Sequence, residues 1–351
     1  MMPRIQANRL MQLAQALLQS LGSPPEEASL VARLLVDADL SGHDSHGVIQ
    51  LPEYLNAHAE GLIAPGAGFT RERETAATAL LDGHWGFGHR LAHEAIMLAI
   101  DKAHRCGISA VGAYHCYHVG HLGAYTHLVA EAGMVGIMAV NDGGGGQRVV
   151  PYGGIVGRLS TNPLAVGLPT GASEPLILDM STSVVAEGQV RLQRLRRELM
   201  PLGWMIDALG QATTDPEDFF RMTGSLLPLG GDSGHKGYGL GLAVDVLAGI
   251  LGRAGHSQAQ IPPYSNGLFI IVVDIGRFLP LEDFTAQVRK LITYIKSCPH
   301  ETGVDEIIYP GERAAHTRRN RWRHGITINP ETWRRLRTIA QERGIQVPDS
   351  V

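Results

Sequence analysis

The sequence predicts an α/β fold in which a helical domain, formed by both chain ends, flanks a glycine-rich middle. Three observations predict it. Apolar residues recur at helical spacing from Leu10 to Ala38 and again from Leu281 towards the C-terminus. Between these ends, short apolar runs such as Leu176-Ile177-Leu178 alternate with turn residues. The 43 glycines concentrate between Gly107 and Gly255, where tight turns between short strands need them. The expected division is residues 1–75 with 280–351 for the helical domain and 76–279 for the α/β region.

Leu10, Leu13, Ala14, Leu17 and Leu21 mark a first helix, and Gly22 stops it. Ser23 and Glu26 form a capping-box pattern, with Pro24 at the first helical position. The second helix carries Leu30, Leu34, Leu35 and Ala38 and ends near Gly42. A third begins at Pro52 and runs towards residue 64. Ala79–Gly83 reads as a strand and residues 89–105 as a helix. Then come a strand at Ile108–Tyr114, a loop at His118–Gly123, a helix at Ala124–Ala132 and a strand at Val135–Val140. Pro151–Ala186 reads as sheet, 237–252 as a small-residue helix and Leu268–Asp274 as a buried strand. Phe284, Val288, Leu291 and Ile295 share one face of a further helix; Trp333, Leu336 and Ile339 mark the last.

A chain of 351 residues can bury a substantial core. With 44% apolar and 18% charged residues it has the composition of a soluble protein. The formal net charge of −4 gives no reason to expect nucleic acid. The basic run Arg318–Arg323 reads as a solvated or interface segment. Cys106, Cys116 and Cys298 form no close pair, which fits a reducing compartment and argues against a structural zinc framework. Neither a signal-peptide pattern nor an apolar run of about 18 residues is evident, so a cytoplasmic protein without a membrane partner is expected.

Asp44-Ser45-His46-Gly47, leading into Gln50 and Tyr54, places an imidazole, a hydroxyl and a carboxylate just past a helix end. Histidine titrates near neutrality and suits proton transfer to a hydroxyl or carbonyl. Gly47 lets the backbone turn at no steric cost. The negative end of the preceding helix dipole should favour a protonated His46.

Three patterns compete for other chemistry. Gly143–Gly146 follows a strand, but Pro151-Tyr152-Gly153-Gly154 opens another turn rather than the helix that a Rossmann loop requires. Gly230–Gly237 has the wrong spacing for a phosphate loop and puts Gly237 where Ser or Thr should hold magnesium. His115, His118 and His121 recur every three residues and could ligate a metal, which would make the chain a metal-dependent hydrolase or lyase. Gly120 and Gly123 argue instead for a loop there.

Taken in order, a set of segments resembles the malate/L-lactate dehydrogenase-type oxidoreductases, which include sulfolactate dehydrogenase-like enzymes. They are Asp44–Tyr54, His118–Gly123, Pro151–Gly154, Leu159–Pro163, Leu178–Ser183, Gly203-Trp204 with Asp207, Thr213–Pro216, Leu227–Gly231, His235–Leu240 and Pro310–Glu312. The resemblance spans nearly the whole chain. It implies a non-Rossmann dehydrogenase fold with a mixed, largely antiparallel central sheet, and a homodimer with active sites near the interface. It implies NAD or NADP as cofactor, and reversible reduction of a small 2-oxo acid, or a related carbonyl or imine, to the 2-hydroxy or 2-amino form.

By the same resemblance His46 is the proton donor and acceptor, with His118, Asp179 and Ser45 completing the catalytic set. Gln50 and Tyr54 fall to the substrate, and Arg148 joins them by sequence context alone. Thr161, Asn162, Pro163, Asp179, Met180, Ser181, His235, Lys236, Pro310, Gly311 and Glu312 fall to the dinucleotide, and no residue to a resident metal; read by themselves, Asp179 equally caps a turn before Ser181, Lys236 is a solvated lysine, and Thr161 and Asn162 shape the turn before Pro163. The chain departs from the family where Gln50 replaces an arginine and Gln189 a lysine. Losing a charge-assisted contact weakens carboxylate binding by about 1.5–3 kcal/mol. Arg148 could substitute, the substrate could differ, or the protein could bind a dinucleotide with reduced activity.

Overall fold

The computed structural model describes residues 2–260 and 264–349. The N-terminal part comprises β1 (Arg4–Ile5), α1 (Ala7–Gln19), α2 (Pro25–Leu40) and α3 (Leu51–Ala59). The periodicity that predicts α1 is its buried face, since Leu10, Leu13, Ala14 and Leu17 are all in the core. The capping box is displaced. Pro24 is the N-cap and Pro25 the first helical residue. Ser23 Oγ therefore donates to Glu27 (2.6 Å), and Glu27 also accepts from Gly66 N (2.9 Å).

The middle begins with β2 (Thr70–Glu74), β3 (Thr78–Gly86), α4 (Gly88–Cys106), β4 (Ile108–Cys116), α5 (Gly123–Glu131) and β5 (Met134–Asn141). It continues with β6 (Leu164–Leu168), β7 (Leu176–Met180) and α6 (Glu187–Arg196). A small unit of β8 (Met205–Asp207), β9 (Ala212–Thr213), α7 (Pro216–Phe220) and β10 (Gly224–Leu226) follows. Next, α8 (Gly234–Val244) runs into a π-helical stretch, Asp245–Leu251, before β11 (Asn266–Asp274).

The main sheet has the order β2-β3-β4-β11-β5-β6-β7, and only β3 and β4 pair in parallel. The expected mixed, largely antiparallel sheet is present. Its centre is β11, whose Leu268, Ile270 and Val272 are fully buried, as a strand with neighbours on both edges requires.

The C-terminal part comprises α9 (Leu281–Lys296), α10 (Glu312–His324), β12 (Ile326–Thr327) and α11 (Pro330–Glu342). The chain ends meet: β1 pairs with β12, and Ile326, Trp333, Leu336 and Ala340 share one core with α1, α2 and α3. α9 lies elsewhere, with Arg289 donating to Thr170 O at 3.1 Å. On its apolar side Leu291, Tyr294 and Ile295 are 56%, 78% and 49% exposed, so this amphipathic pattern does not mark core. Among the described residues no helix is long and apolar enough to cross a membrane.

The basic run on α10 divides: Arg319, Trp322 and Arg323 are exposed, whereas Arg318 and Arg321 are engaged within the chain. Arg318 forks onto Asp37 (2.8 Å to Oδ2) and Ser41, and Arg321 grips Asp44 and the Asp39 carbonyl. α10 thereby clamps the end of α2 and the two 3₁₀ turns after it, Asp44–His46 and Val48–Gln50. Buried Asp39 accepts from Val48 N (2.9 Å) across Gly47. Gly47 has φ −89°, so its conformation alone does not call for glycine. The requirement is space, because any side chain there would run into the Asp39 carboxylate. Gly47→Ala should lower stability by about 1–3 kcal/mol, read as a lower urea midpoint at unchanged m-value.

Candidate active site

The turn after α2 carries two histidines onto the loop between β4 and α5. His46 stacks on His118, ring centroids 5.5 Å apart at 22°. His43 stacks on His121, 3.9 Å apart at 24°. His46 Nδ1 lies 3.0 Å from the Ser45 hydroxyl, and His118 Nδ1 shares a 2.7 Å hydrogen bond with the Tyr54 hydroxyl. Behind them His89 is 1% exposed and packs edge-on to Tyr54 and His118. Neither ring nitrogen of His89 has a partner among the described residues.

Burial dominates the protonation of this cluster, since an imidazolium is costly away from water. It lowers His46 to about 4, with the charge on His121 adding to the effect and Asp179 opposing it. His43 and His89 fall to about 3 and His118 moves well below its ordinary value, each mainly by burial. The expected protonated His46 is therefore corrected to a neutral one. A helix end contributes about 0.3–2 kcal/mol, whereas a fall from 6.5 to about 4 corresponds to roughly 3 kcal/mol.

Asp179, near the end of β7, accepts from Gly123 N (2.7 Å) and lies 3.1 Å from His121 Nε2. Burial works to raise its carboxyl, but these bonds and the neighbouring His43 hold it below the usual carboxylate range. His43, His121 and Asp179 line a cleft of about 550 Å³ together with Tyr309, Pro310, Gly311 and Arg313.

The other expected residues divide. Ser45, Tyr54 and His118 gather around His46, and Gln50 Nε2 donates to Ser45 O at 2.7 Å. Pro310 and Gly311 line the cleft, with Ile177 N donating to Pro310 O at 3.0 Å. Glu312 is engaged by Lys296 (2.7 and 2.9 Å) and Tyr309 N, so it braces the turn. Thr161 O accepts from Thr182 N and Oγ1, Pro163 O from Val140 N, and Ser181 Oγ donates to Ser183 O. Met180 pairs with Leu164 across the sheet. Fully buried Asn162 donates to Gly241 O (2.9 Å) and so ties the sheet to α8 rather than facing the cleft. His235 and Lys236 are exposed in the first turn of α8, His235 against the Tyr152 ring.

Arg148 does not take the place of the missing cation. Its guanidinium lies over Phe219, 3.7 Å from the ring centroid, and bonds Phe219 O and Met222 Sδ. The three spaced histidines part company as well: His115 pairs with Asp82 (3.2 Å), His118 with Tyr54 and His121 with Asp179. Among the described residues no group of three or more His, Cys, Asp or Glu is arranged to hold a metal ion. Sequence reasoning missed His43, although it stands three residues before His46 in the same turn. It also missed His89, which no local pattern marks.

The match to known proteins is end to end. The family model of malate/L-lactate dehydrogenase covers residues 5–337. The chain belongs to the malate/L-lactate dehydrogenase family. It is 37% identical to a malate dehydrogenase of Pyrococcus abyssi, over 98% of this chain and 96% of that one. It is 32% identical to an L-sulfolactate dehydrogenase of Methanothermobacter thermautotrophicus, over 98% of each. The solved malate dehydrogenase of Pyrococcus horikoshii superposes with a TM-score of 0.89 at 36% identity, covering 98% of this chain and 97% of that one. The chain is thus a dehydrogenase acting on CH–OH groups of hydroxy acids, and the family implies a nicotinamide cofactor. The cleft fits such a group. Its volume lies in the range of ligand pockets. His43, Asp179 and Arg313 set polar groups into that lining beside apolar ones such as Ile177 and Leu178.

The buried histidines set an acid limit on stability. Their folded values lie below the unfolded value of about 6.5, so their contribution is complete above that pH and is lost as pH falls towards 4 and 3. Urea midpoints should fall steeply below about pH 6, each such histidine adding up to about 1.4 kcal/mol per pH unit. His89→Gln should flatten that slope; an unchanged slope would remove His89 from this role.

Proposed function

We propose that the protein is an NAD- or NADP-dependent oxidoreductase interconverting a small 2-oxo acid and its 2-hydroxy acid, with His46 moving the proton. One observation carries this reading: a neutral imidazole, stacked on a second one, lies within electrostatic reach of His121 and Asp179, which line the cleft that suits a dinucleotide. The nicotinamide, when bound, supplies or takes the hydride. In the oxidative direction neutral His46 accepts the hydroxyl proton as the carbon loses hydride. In reduction it takes a proton from solvent and passes it to the carbonyl oxygen as the carbon gains hydride. Ser45 at Nδ1 holds the ring and leaves Nε2 for the substrate. Tyr54 holds His118 in the same way through Nδ1.

Asp179, Met180, Ser181, Pro310 and Gly311 are assigned to the dinucleotide, and Asp179 also keeps the His43–His121 stack in place. Thr161, Asn162 and Pro163 act through the backbone that leads into β6, and Glu312 through the turn at Tyr309. A homodimer is supported by apolar side chains left exposed on α9 and on the π-helical stretch, including Leu291, Tyr294, Val246 and Ile250. A reducing cytoplasmic setting is supported by three free cysteines.

The test is turnover of lactate, malate and sulfolactate with NAD and NADP by wild type and His46→Asn. The substitution should cut kcat by about 10²–10⁴-fold and leave NADH or NADPH binding, followed by fluorescence, unchanged. Turnover retained at the wild-type rate would remove His46 from its assigned role.

A further inference from the structure

We propose that Arg191 binds the carboxylate of the substrate; the inference rests on the hydroxy-acid reading given above. An anion brought beside partly buried, neutral histidines loses water and needs a cation in its place. The turn that carries His46 does not provide one. The Gln50 amide is neutral and turned onto Ser45 O. Arg321 is engaged by Asp44 and Arg148 by Phe219 and Met222.

α6 offers the alternative because its first turn sits directly on the catalytic turn. Gly188 packs so tightly against Ser45 that a side chain there would collide with it. Residues three apart share a helix face, so Arg191 follows Gly188 on the side that meets this turn. There it lines a cavity of about 630 Å³ with Ile49, Pro52 and Glu53, the residues that flank Gln50 and open α3. The other arginines of that cavity are taken or remote. Arg194 pairs with Glu217 (2.7 Å) and Arg335 with Glu53 (3.5 Å). Arg197 lies about 9 Å further along the helix axis. Arg191 has no ion pair among the described residues, and its charge reaches His118 and Tyr117, acting to lower the basicity of the first. Glu187, one turn earlier, is a carboxyl whose ionisation burial discourages, which weakens its opposition to an incoming anion.

A guanidinium here can fork onto both oxygens of a carboxylate, which a lysine ammonium cannot do. The probe is oxamate, titrated into the enzyme saturated with NADH or NADPH, comparing wild type with Arg191→Met and Arg191→Lys. The methionine variant should bind oxamate about 10- to 100-fold more weakly and the lysine variant should fall between. In turnover the loss should appear in KM for the hydroxy acid rather than in kcat. Unchanged dinucleotide affinity and circular dichroism would show that the variants are folded. Oxamate binding by Arg191→Met within about twofold of wild type, or no oxamate binding by wild type at all, would overturn the assignment. Should wild type bind oxamate through Arg191 yet oxidise no hydroxy acid, the reaction reading fails and the carboxylate site stands.

Discussion

The grip of Arg321 on Asp44 and the Asp39 carbonyl is the contact on which the active site depends. It joins α10 to the end of α2, so residues nearly three hundred positions apart in sequence fix the turn that carries His43 and His46. Arg318 repeats the device one turn earlier on Asp37 and Ser41. From the other side, Asp39 bonds Val48 N across Gly47. A short turn held at both ends keeps its rings in one place, and the loop after β4 can then stack His118 and His121 against them.

Enclosure decides what those rings can do. Burial drives His43, His46, His89 and His118 towards the neutral form, because an imidazolium enclosed there is poorly solvated. Among the described residues Asp179 is the one carboxylate bonded into the cluster, and it is committed to His121 and Gly123. Neutral His46 suits the part of base proposed for it in the oxidative direction, whereas reduction first requires the imidazole to take a proton from solvent.

Much of the fold is legible in the sequence because its signals are local. The spacing of Leu10 to Leu17 and the apolar run of β11 each report burial directly. The displaced capping box shows the limit of such signals: Ser23 reaches Glu27, not Glu26, because α2 starts at Pro25. α9 shows another, since an apolar helical face does not by itself place the helix in this chain's core. The site is less legible still. Nothing near His46 in sequence announces His118 or His121 as its neighbours, and the local helix dipole points to the wrong protonation state. Arg191 is invisible for the same reason, as its place is set by the contact of Gly188 with Ser45, far away along the chain.

The central claim, that His46 acts as an enclosed, neutral base, is tested most directly by the pH profile of kcat/KM for hydroxy-acid oxidation at saturating cofactor. That ratio reports groups of the enzyme before the hydroxy acid binds. The acid limb should lie well below the ordinary histidine value, near the about 4 set by burial of His46. An acid limb at or above about 6.5 would contradict the account.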